Sequence, residues 1–489
     1  MNIKYTSIAL AVAATLAQGV WAAEGSVKPS GFGLVSADGE NSINLTGVVQ
    51  FDTRALETGL KFVNDKDAGS GADNFEIRRA RLGFNGTVFN NIDYEILTNL
   101  VGSNANLIHR AYINYGHDSN AQIRVGRFKQ PFSLEEQTSA NAIDFQERSY
   151  GNQLVASQRL GAMIHGAPTK GFTYALSIYQ DGFNEVSNTE NIGALGVGRV
   201  TLNLAELRDI KDTVLHLGVG YDKGSYQTAP ATTTDSGKIS EGQTRGTILA
   251  FRSEDRGVAN VYRAQISGDY ISPTYGGIAN NAANVSKDLK GLELALATGG
   301  FKYQTEYFDS AYSAKAVNYD YVNSANKGDA NLNITAKTNY HEIIYNLTGE
   351  SWSQSYKNGA FTSVKPKSNF GGGGTGAWQL AWRVSTYKVG EPASTTDSGS
   401  GTTKTYTNTF SSYTTSVGSF KNTSRGENSS TATTNTIGVN WILNPNARVI
   451  FNYAETKFGN KVTYLSTTPA DVGFTSKERV ASIRTQLNF

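Results

Sequence analysis

The run Ser42-Ile-Asn-Leu-Thr-Gly-Val-Val-Gln-Phe-Asp-Thr-Arg54 puts Ile43, Leu45, Gly47, Val49 and Phe51 at odd positions and Asn44, Thr46, Gln50, Asp52 and Arg54, with Val48, at even ones. An extended chain sends successive side chains to opposite faces, so the segment reads as a β-strand with one apolar and one wet face. The alternation returns as Ala80, Leu82 and Phe84 against Arg79 and Arg81, and as Ile92, Tyr94 and Ile96 against Asp93 and Glu95. It returns again as Ala111, Ile113 and Tyr115 against Arg110, Tyr112 and Asn114, as Trp378, Leu380, Trp382 and Val384 against Gln379 and Arg383, and as Val449, Phe451 and Tyr453 against Arg448 and Asn452. Composition agrees: 51 Gly, 25 Tyr, 22 Phe and only 9 Pro in 489 residues, with no Glu- or Lys-rich helical pattern, disfavour a helical bundle, a collagen-like chain and disorder. The absence of cysteine removes thiolate metal sites, iron–sulfur clusters, Cys nucleophiles and disulfides. A net charge of +2 offers no case for a nucleic-acid partner.

Alternation alone fits a soluble sandwich as well as a membrane barrel. Three features choose the barrel. Strands of about ten residues are separated in turn by tight turns (Asn90-Asn91, 117–120, 167–171, 444–446) and by long polar segments (133–158, 390–434), as in outer-membrane barrels. Aromatic residues such as Phe301, Tyr303 and Tyr307 stand near strand ends, where an interfacial girdle needs them. The chain also stops within a strand, Ala481, Ile483, Leu487 and Phe489 sharing one face and Ser482, Arg484, Gln486 and Asn488 the other. Residues 1–22 read as a cleaved export signal: Lys4, an apolar run over 8–17 too short to span a bilayer, then Val20-Trp21-Ala22. Residues 23–41 form a lead-in and 42–489 a single barrel domain. Nine strands up to Asp222 and seven from Leu292 predict 16; the uncertain middle loop, 223–290, adds none or, through 247–251 and 261–270, two, giving 18. Either number encloses an aqueous channel.

Alternation sends Arg54, Arg79, Arg81, Arg110, Arg124, Arg199, Arg383, Arg448 and Arg484 toward the lumen. Guanidinium is permanently charged and binds oxyanions through a planar fork, so such a wall favours anions. Asp52, Asp93 and Glu95 are at hand to pair with it, which would leave the wall balanced and unselective.

The segment Ile123-Arg-Val-Gly-Arg-Phe-Lys-Gln-Pro-Phe-Ser-Leu-Glu-Glu136 resembles the phosphate-selective porin O and P family at Gly126, Phe128, Lys129, Pro131, Phe132, Ser133, Leu134 and Glu135. Ile77-Arg-Arg-Ala-Arg-Leu-Gly83, Phe145-Gln-Glu-Arg-Ser149, Leu347-Thr-Gly-Glu350, Val364-Lys-Pro-Lys367 and Gly438-Val-Asn-Trp-Ile-Leu-Asn-Pro-Asn446 are similar too. The resemblance implies a 16-stranded transmembrane antiparallel barrel in the outer membrane of a Gram-negative bacterium, a homotrimer, and a pore narrowed by inward loops, 133–156 among them. It implies that Lys129 and Ser133 belong to a central anion site, with Arg78 and Arg79 as partners. Separately, the lipid-face aromatic Phe489 resembles the signal that the assembly machinery of Gram-negative outer membranes is expected to read. The middle loop departs from the family's ladder of Arg: Arg245, Arg252, Arg256 and Arg263 are interleaved with Glu254 and Asp255, which makes phosphate specificity less secure than anion preference. Arg127 and Lys129 fall on the parity of Ile123 and Val125, so they reach the lumen only if Gly126 marks a bulge or the strand has turned inward; otherwise Lys129 snorkels to lipid headgroups.

No His-Glu-Xaa-Xaa-His and no phosphate loop occurs, and His109, His165, His216 and His341 read as single wall residues, with His117 in a turn. No enzyme, cofactor or metal is expected. The reading is an outer-membrane porin passing small anions such as phosphate; the alternatives are a weakly selective porin, or a receptor or adhesin barrel using the Ser/Thr-rich loop 390–434.

Overall fold

A computed structural model describes residues 33–57, 61–62, 74–101, 107–180, 193–227, 247–257, 261–265, 268–271, 278–281, 284–320, 325–371, 373–390, 393–395, 429–464 and 473–489. Residues 1–22, expected to be an export signal, Arg245 and most of the loop 390–434 lie outside them. Sixteen long strands form the wall: β1 Ser42–Glu57, β2 Asn74–Val88, β3 Ile92–Asn99, β4 Ile108–Asp118, β5 Ala121–Lys129, β6 Gln158–Thr169, β7 Phe172–Gln180, β8 Ala194–Asn203, β9 Thr213–Gln227, β10 Asn284–Thr298, β11 Phe301–Asp320, β12 Ala325–Asn346, β13 Ala377–Val389, β14 Thr431–Asn444, β15 Ala447–Tyr464 and β16 Gly473–Asn488. Each pairs antiparallel with the next, and β16 returns to β1 from Val48↔Asn488 to Glu57↔Arg479, so the sheet has no open edge. β9 pairs directly with β10, which settles the count against 18. Thr247–Phe251 and Tyr262–Gln265 instead make a separate hairpin whose Ile248, Leu249, Phe251, Val261 and Tyr262 pack into a buried apolar cluster with Tyr150, Val285 and Tyr387. A pair with so much apolar surface is better buried by that cluster than laid into the wall.

The apolar parity faces outward. Ile113, Ile123, Val125, Ile178, Leu292 and Ile437 are all more than half exposed, whereas the alternate positions Gln50, Asp52, Arg199, Arg383 and Arg484 are buried inside. Polar side chains inside and a continuous apolar wall outside suit a membrane barrel and no soluble sandwich.

Among the register shifts of the wall, two fall among the basic residues. On β2 the pairing steps from Gln50↔Arg79 to Phe51↔Ile77, so Arg78 is an extra residue, and both Arg78 and Arg79 bond to lumenal partners. On β4 it steps from Leu97↔Arg110 to Thr98↔Ile108, making His109 the extra residue. No shift occurs at Gly126, which takes φ 127 within unbroken pairing. His117 lies at the end of β4 and the turn is Ser119-Asn120, which moves that histidine out of the turn.

Residues 347–376, between β12 and β13, open from the rim of short turns, yet they are long and turn into the barrel. Trp352, Phe361 and Val364 join Leu134 and Phe145 in a buried cluster. Lys302 sits over the Trp352 and Phe361 rings at 4.4 and 4.6 Å. The alternation of short turns and long loops therefore has an exception, drawn in by these apolar side chains.

Candidate functional site

Residues 130–157 cross the lumen because the Phe132 ring, the backbone N–H groups of Leu134 and Glu135, and the Glu135 carboxylate are each met by the opposite wall. Gly220 and Gly291 are register partners on β9 and β10, and a Cβ on either would come within 2.9 Å of the Phe132 ring. Their bare backbones form the slot that holds it, with Phe308 5.7 Å away. Ser133 takes φ 70 and caps the turn Leu134–Gln137, its Oγ accepting from the Glu136 N–H at 3.1 Å. Glu306 on β11 accepts the Leu134 and Glu135 N–H groups at 2.9 and 2.7 Å, and the Tyr340 hydroxyl at 2.6 Å. Glu135 then accepts from Ser149 and from Arg383 at 3.2 Å, tying both ends of the loop to β13.

The basic residues inside divide by partner. Arg54 contacts Asp52, Glu76 and Glu147; Arg78 reaches Glu147 through two N–H groups at 2.7 and 3.0 Å; Arg110 meets Glu95 at 2.7 Å. Arg199 pairs with Glu293, Arg484 with Asp52 and Glu147, and Arg383 with Glu135 and Glu254. These are neutralised. Five others bond to uncharged oxygens: Arg79 to Gln50 at 2.6 Å, Arg81 to Asn99 at 2.9 Å, Arg124 to Asn114 at 3.2 Å, Arg448 to Gln486 at 3.1 Å and the Ile143 carbonyl, and Lys129 to the Glu136 and Thr138 carbonyls. Arg124 also lies 4.4 Å over the Tyr112 ring.

Arg79, Arg81, Arg110 and Lys129 gather around His109. Lys129, the last residue of β5, has turned inward onto the loop. Arg127 is not brought among them; its register partners Ala111 and Leu160 belong to the outward row. Arg263 lies in the middle-loop hairpin opposite Ala250, and its side chain falls outside the described residues. Ser133 is buried, with its hydroxyl engaged as a cap.

Alternation missed three participants carried by the inward loop. Arg148 donates to the Glu135 and Thr138 carbonyls at 3.0 and 2.7 Å, beside Lys129, and stands 3.5 Å from Glu136. Glu147 gathers Arg54, Arg78 and Arg484; burial would raise its carboxyl, but Arg78 and then Arg484 outweigh burial and hold it well below the usual range. Glu136 behaves likewise, lowered against its burial by Arg148 and Lys129. For Glu147 and Arg148 the signal was Phe145-Gln-Glu-Arg-Ser149, charge in an otherwise unpatterned loop, and Glu136 closes the Ile123–Glu136 run. Among the described residues no group of His, Cys, Asp and Glu could hold a metal ion.

A model of the family described as phosphate-selective porin O and P matches residues 43–489. Porin O of Pseudomonas aeruginosa is 26% identical over 469 residues, covering 92% of each chain. The structure of the anion-selective porin from Comamonas acidovorans aligns with 92% of this chain and 100% of its own at 12% identity and a TM-score of 0.45. The outer membrane channel DcaP of Acinetobacter baumannii aligns with 94% and 100% at 10% identity and a TM-score of 0.43.

Proposed function

The chain belongs to the phosphate-selective porin O and P family, and on that premise we propose that its lumen passes small anions in preference to cations. It is a porin of the Gram-negative outer membrane. The observation that carries the proposal is the set of lumenal cations bonded to neutral oxygens: Arg79, Arg81, Arg124, Arg448 and Lys129. A guanidinium already matched by a carboxylate offers a passing anion little, whereas one held only by amide or carbonyl oxygens keeps its charge for the solute. The anion pathway accordingly runs past Arg79, Arg81 and Arg124 to Lys129, with phosphate or another oxyanion as the preferred solute. The paired residues Arg54, Arg78, Arg199, Arg383 and Arg484 hold the inward loops in place. Assembly as a homotrimer is part of the same proposal, supported by family membership.

Purified protein in a planar bilayer under a potassium chloride gradient is expected to give a reversal potential on the chloride side. A cation-selective potential would overturn the proposal. The neutralised arginines favour a second reading, a weakly selective general porin, whose outcome is a potential near zero.

A further inference from the structure

The outer wall carries a layered pattern above its apolar belt, at the rim of the long loops. The belt ends on the row Val219–Leu292–Tyr307, register partners across β9, β10 and β11 that are all exposed. The next outward row is charged and continuous across five strands: Tyr221 faces Lys290, Lys290 faces Asp309, Asp309 faces Lys337, and Lys337 faces Lys388. Lys290 and Lys337 are 69% and 56% exposed. Lys388 is exposed as well. The row holds three cations to one carboxylate: Asp309 lies 3.6 Å from Lys337, and Lys388, directly opposite Lys337, has no ion pair among the described residues. Like charges at a directly paired position destabilise a sheet, and Asp309 offsets only the Lys337 side of this pair. Above them Lys223 faces Asp288, which two lysines share at 3.7 and 3.8 Å and the Tyr221 hydroxyl contacts at 2.8 Å. Beside Lys223 and Asp288 a depression of about 610 Å³ opens, where Ser225, Ser286, Ala311 and Ser313 are among the lining residues.

We propose that this face of β9–β13 is a binding site for a phosphorylated glycolipid of the outward leaflet, its phosphate on the Lys290–Lys337–Lys388 row. The three layers match the three parts of such a molecule. Acyl chains lie along the belt below, the phosphate sits where two lysines oppose one another, and the sugar enters the depression above. A phosphate there replaces the repulsion between Lys337 and Lys388 with two charge-assisted contacts. Asp309 and Asp288 oppose the anion and confine it to the side of the row nearest β13. The inference depends on the outer-membrane placement of the barrel and not on the selectivity of its lumen.

The test is the thermal unfolding of purified protein in detergent with added diphosphorylated lipid A, read by heat-modifiable mobility, for wild type and for Lys337→Ser/Lys388→Ser. The wild type is expected to reach half of its maximal stabilisation at a lipid concentration at least tenfold lower than the variant requires. Single-channel conductance should be the same in both, because the row lies on the outer wall. Lys388→Arg should keep the wild-type response, and Lys388→Gln gives the same reading should the double variant fail to fold. Equal responses of wild type and variant would overturn the proposal. So would equal stabilisation by lipid A stripped of its phosphates, or full protection by inorganic phosphate alone, which would assign the row to a free anion.

Discussion

Lys129 illustrates how much one position depends on the elements around it. Parity along β5 groups it with lipid-facing Ile123 and Val125, yet its ammonium rests on the Glu136 and Thr138 carbonyls because the strand ends there and Pro131 follows. If it also meets the solute, millimolar phosphate should block chloride current, and Lys129→Ala should raise the half-blocking concentration by an amount equivalent to about 1–3 kcal/mol of lost charge-assisted contact. An unchanged block would leave Lys129 as a loop anchor only. The Phe-Ser-Leu-Glu run was legible as a motif, but its reasons were not. Phe132 needs Gly220 and Gly291, which are far apart in sequence and become neighbours only through the β9–β10 register. Gly291→Val would place a side chain where the Phe132 ring lies, so the inward loop should unseat and single-channel conductance rise severalfold. Unaltered conductance would mean the slot does not hold the loop.

At the scale of elements, strands were legible and their irregularities were not. Period-two patterning locates β1 to β16, but the bulges at Arg78 and His109 reflect a local mismatch between paired strands, and one strand's sequence does not carry it. The segment 347–376 was missed because its apolar residues are few and irregularly spaced, although the short-turn parity of its position made its length anomalous. The middle loop gives a prediction of its own. Its turn inserts Glu254 and Asp255 beside Arg383, both almost fully buried. Burial pushes both carboxyls up, to about 7; Arg383 opposes it on each, while Asp255 and Glu135 add to it on Glu254 and Glu478 and Glu147 add to it on Asp255, and among the described residues neither Glu254 Oε2 nor Asp255 Oδ2 has a hydrogen-bond partner. A raised carboxyl is protonated in the docked turn and ionised in the undocked one. Docking is therefore complete below the ordinary carboxylate range of about 4 and is lost as pH rises through the raised value. Protease cleavage within 252–257 of the folded barrel should accelerate from about pH 5 to about pH 8, and Asp255→Asn should weaken that dependence, Glu254 supplying the remainder. A cleavage rate independent of pH in the wild type would refute the assignment.

For the molecule as a whole, closure follows from the same alternation that predicts each strand. A sheet apolar on one face and polar on the other, with no edge left unpaired, is stable in a bilayer only as a cylinder. The last strand makes that closure checkable. Gly47 and Phe489 exchange both backbone hydrogen bonds, at 2.8 and 3.1 Å, and the Phe489 ring covers Gly47 so closely that a Cβ there would lie 2.4 Å from it. Deleting 487–489 removes the Val49↔Leu487 and Val48↔Asn488 pairs along with this contact, exposing the start of β1 to water and lipid, where unpaired backbone groups cost several kcal/mol each. It also removes the aromatic terminus that the assembly machinery is expected to read. The truncated chain should therefore accumulate as aggregated or degraded material in the periplasm, with little heat-modifiable protein in the membrane. Phe489→Tyr preserves the ring over Gly47 and both backbone bonds, and should assemble at near wild-type levels. Gly47→Val leaves the terminus intact but evicts the ring, so it separates the two contributions: normal assembly of this variant together with failure of the truncation would assign the effect to the terminal signal, and failure of both would assign it to the seam. A truncated chain recovered from the outer membrane in folded, heat-modifiable form would show that the β1–β16 seam does not need its final pairs.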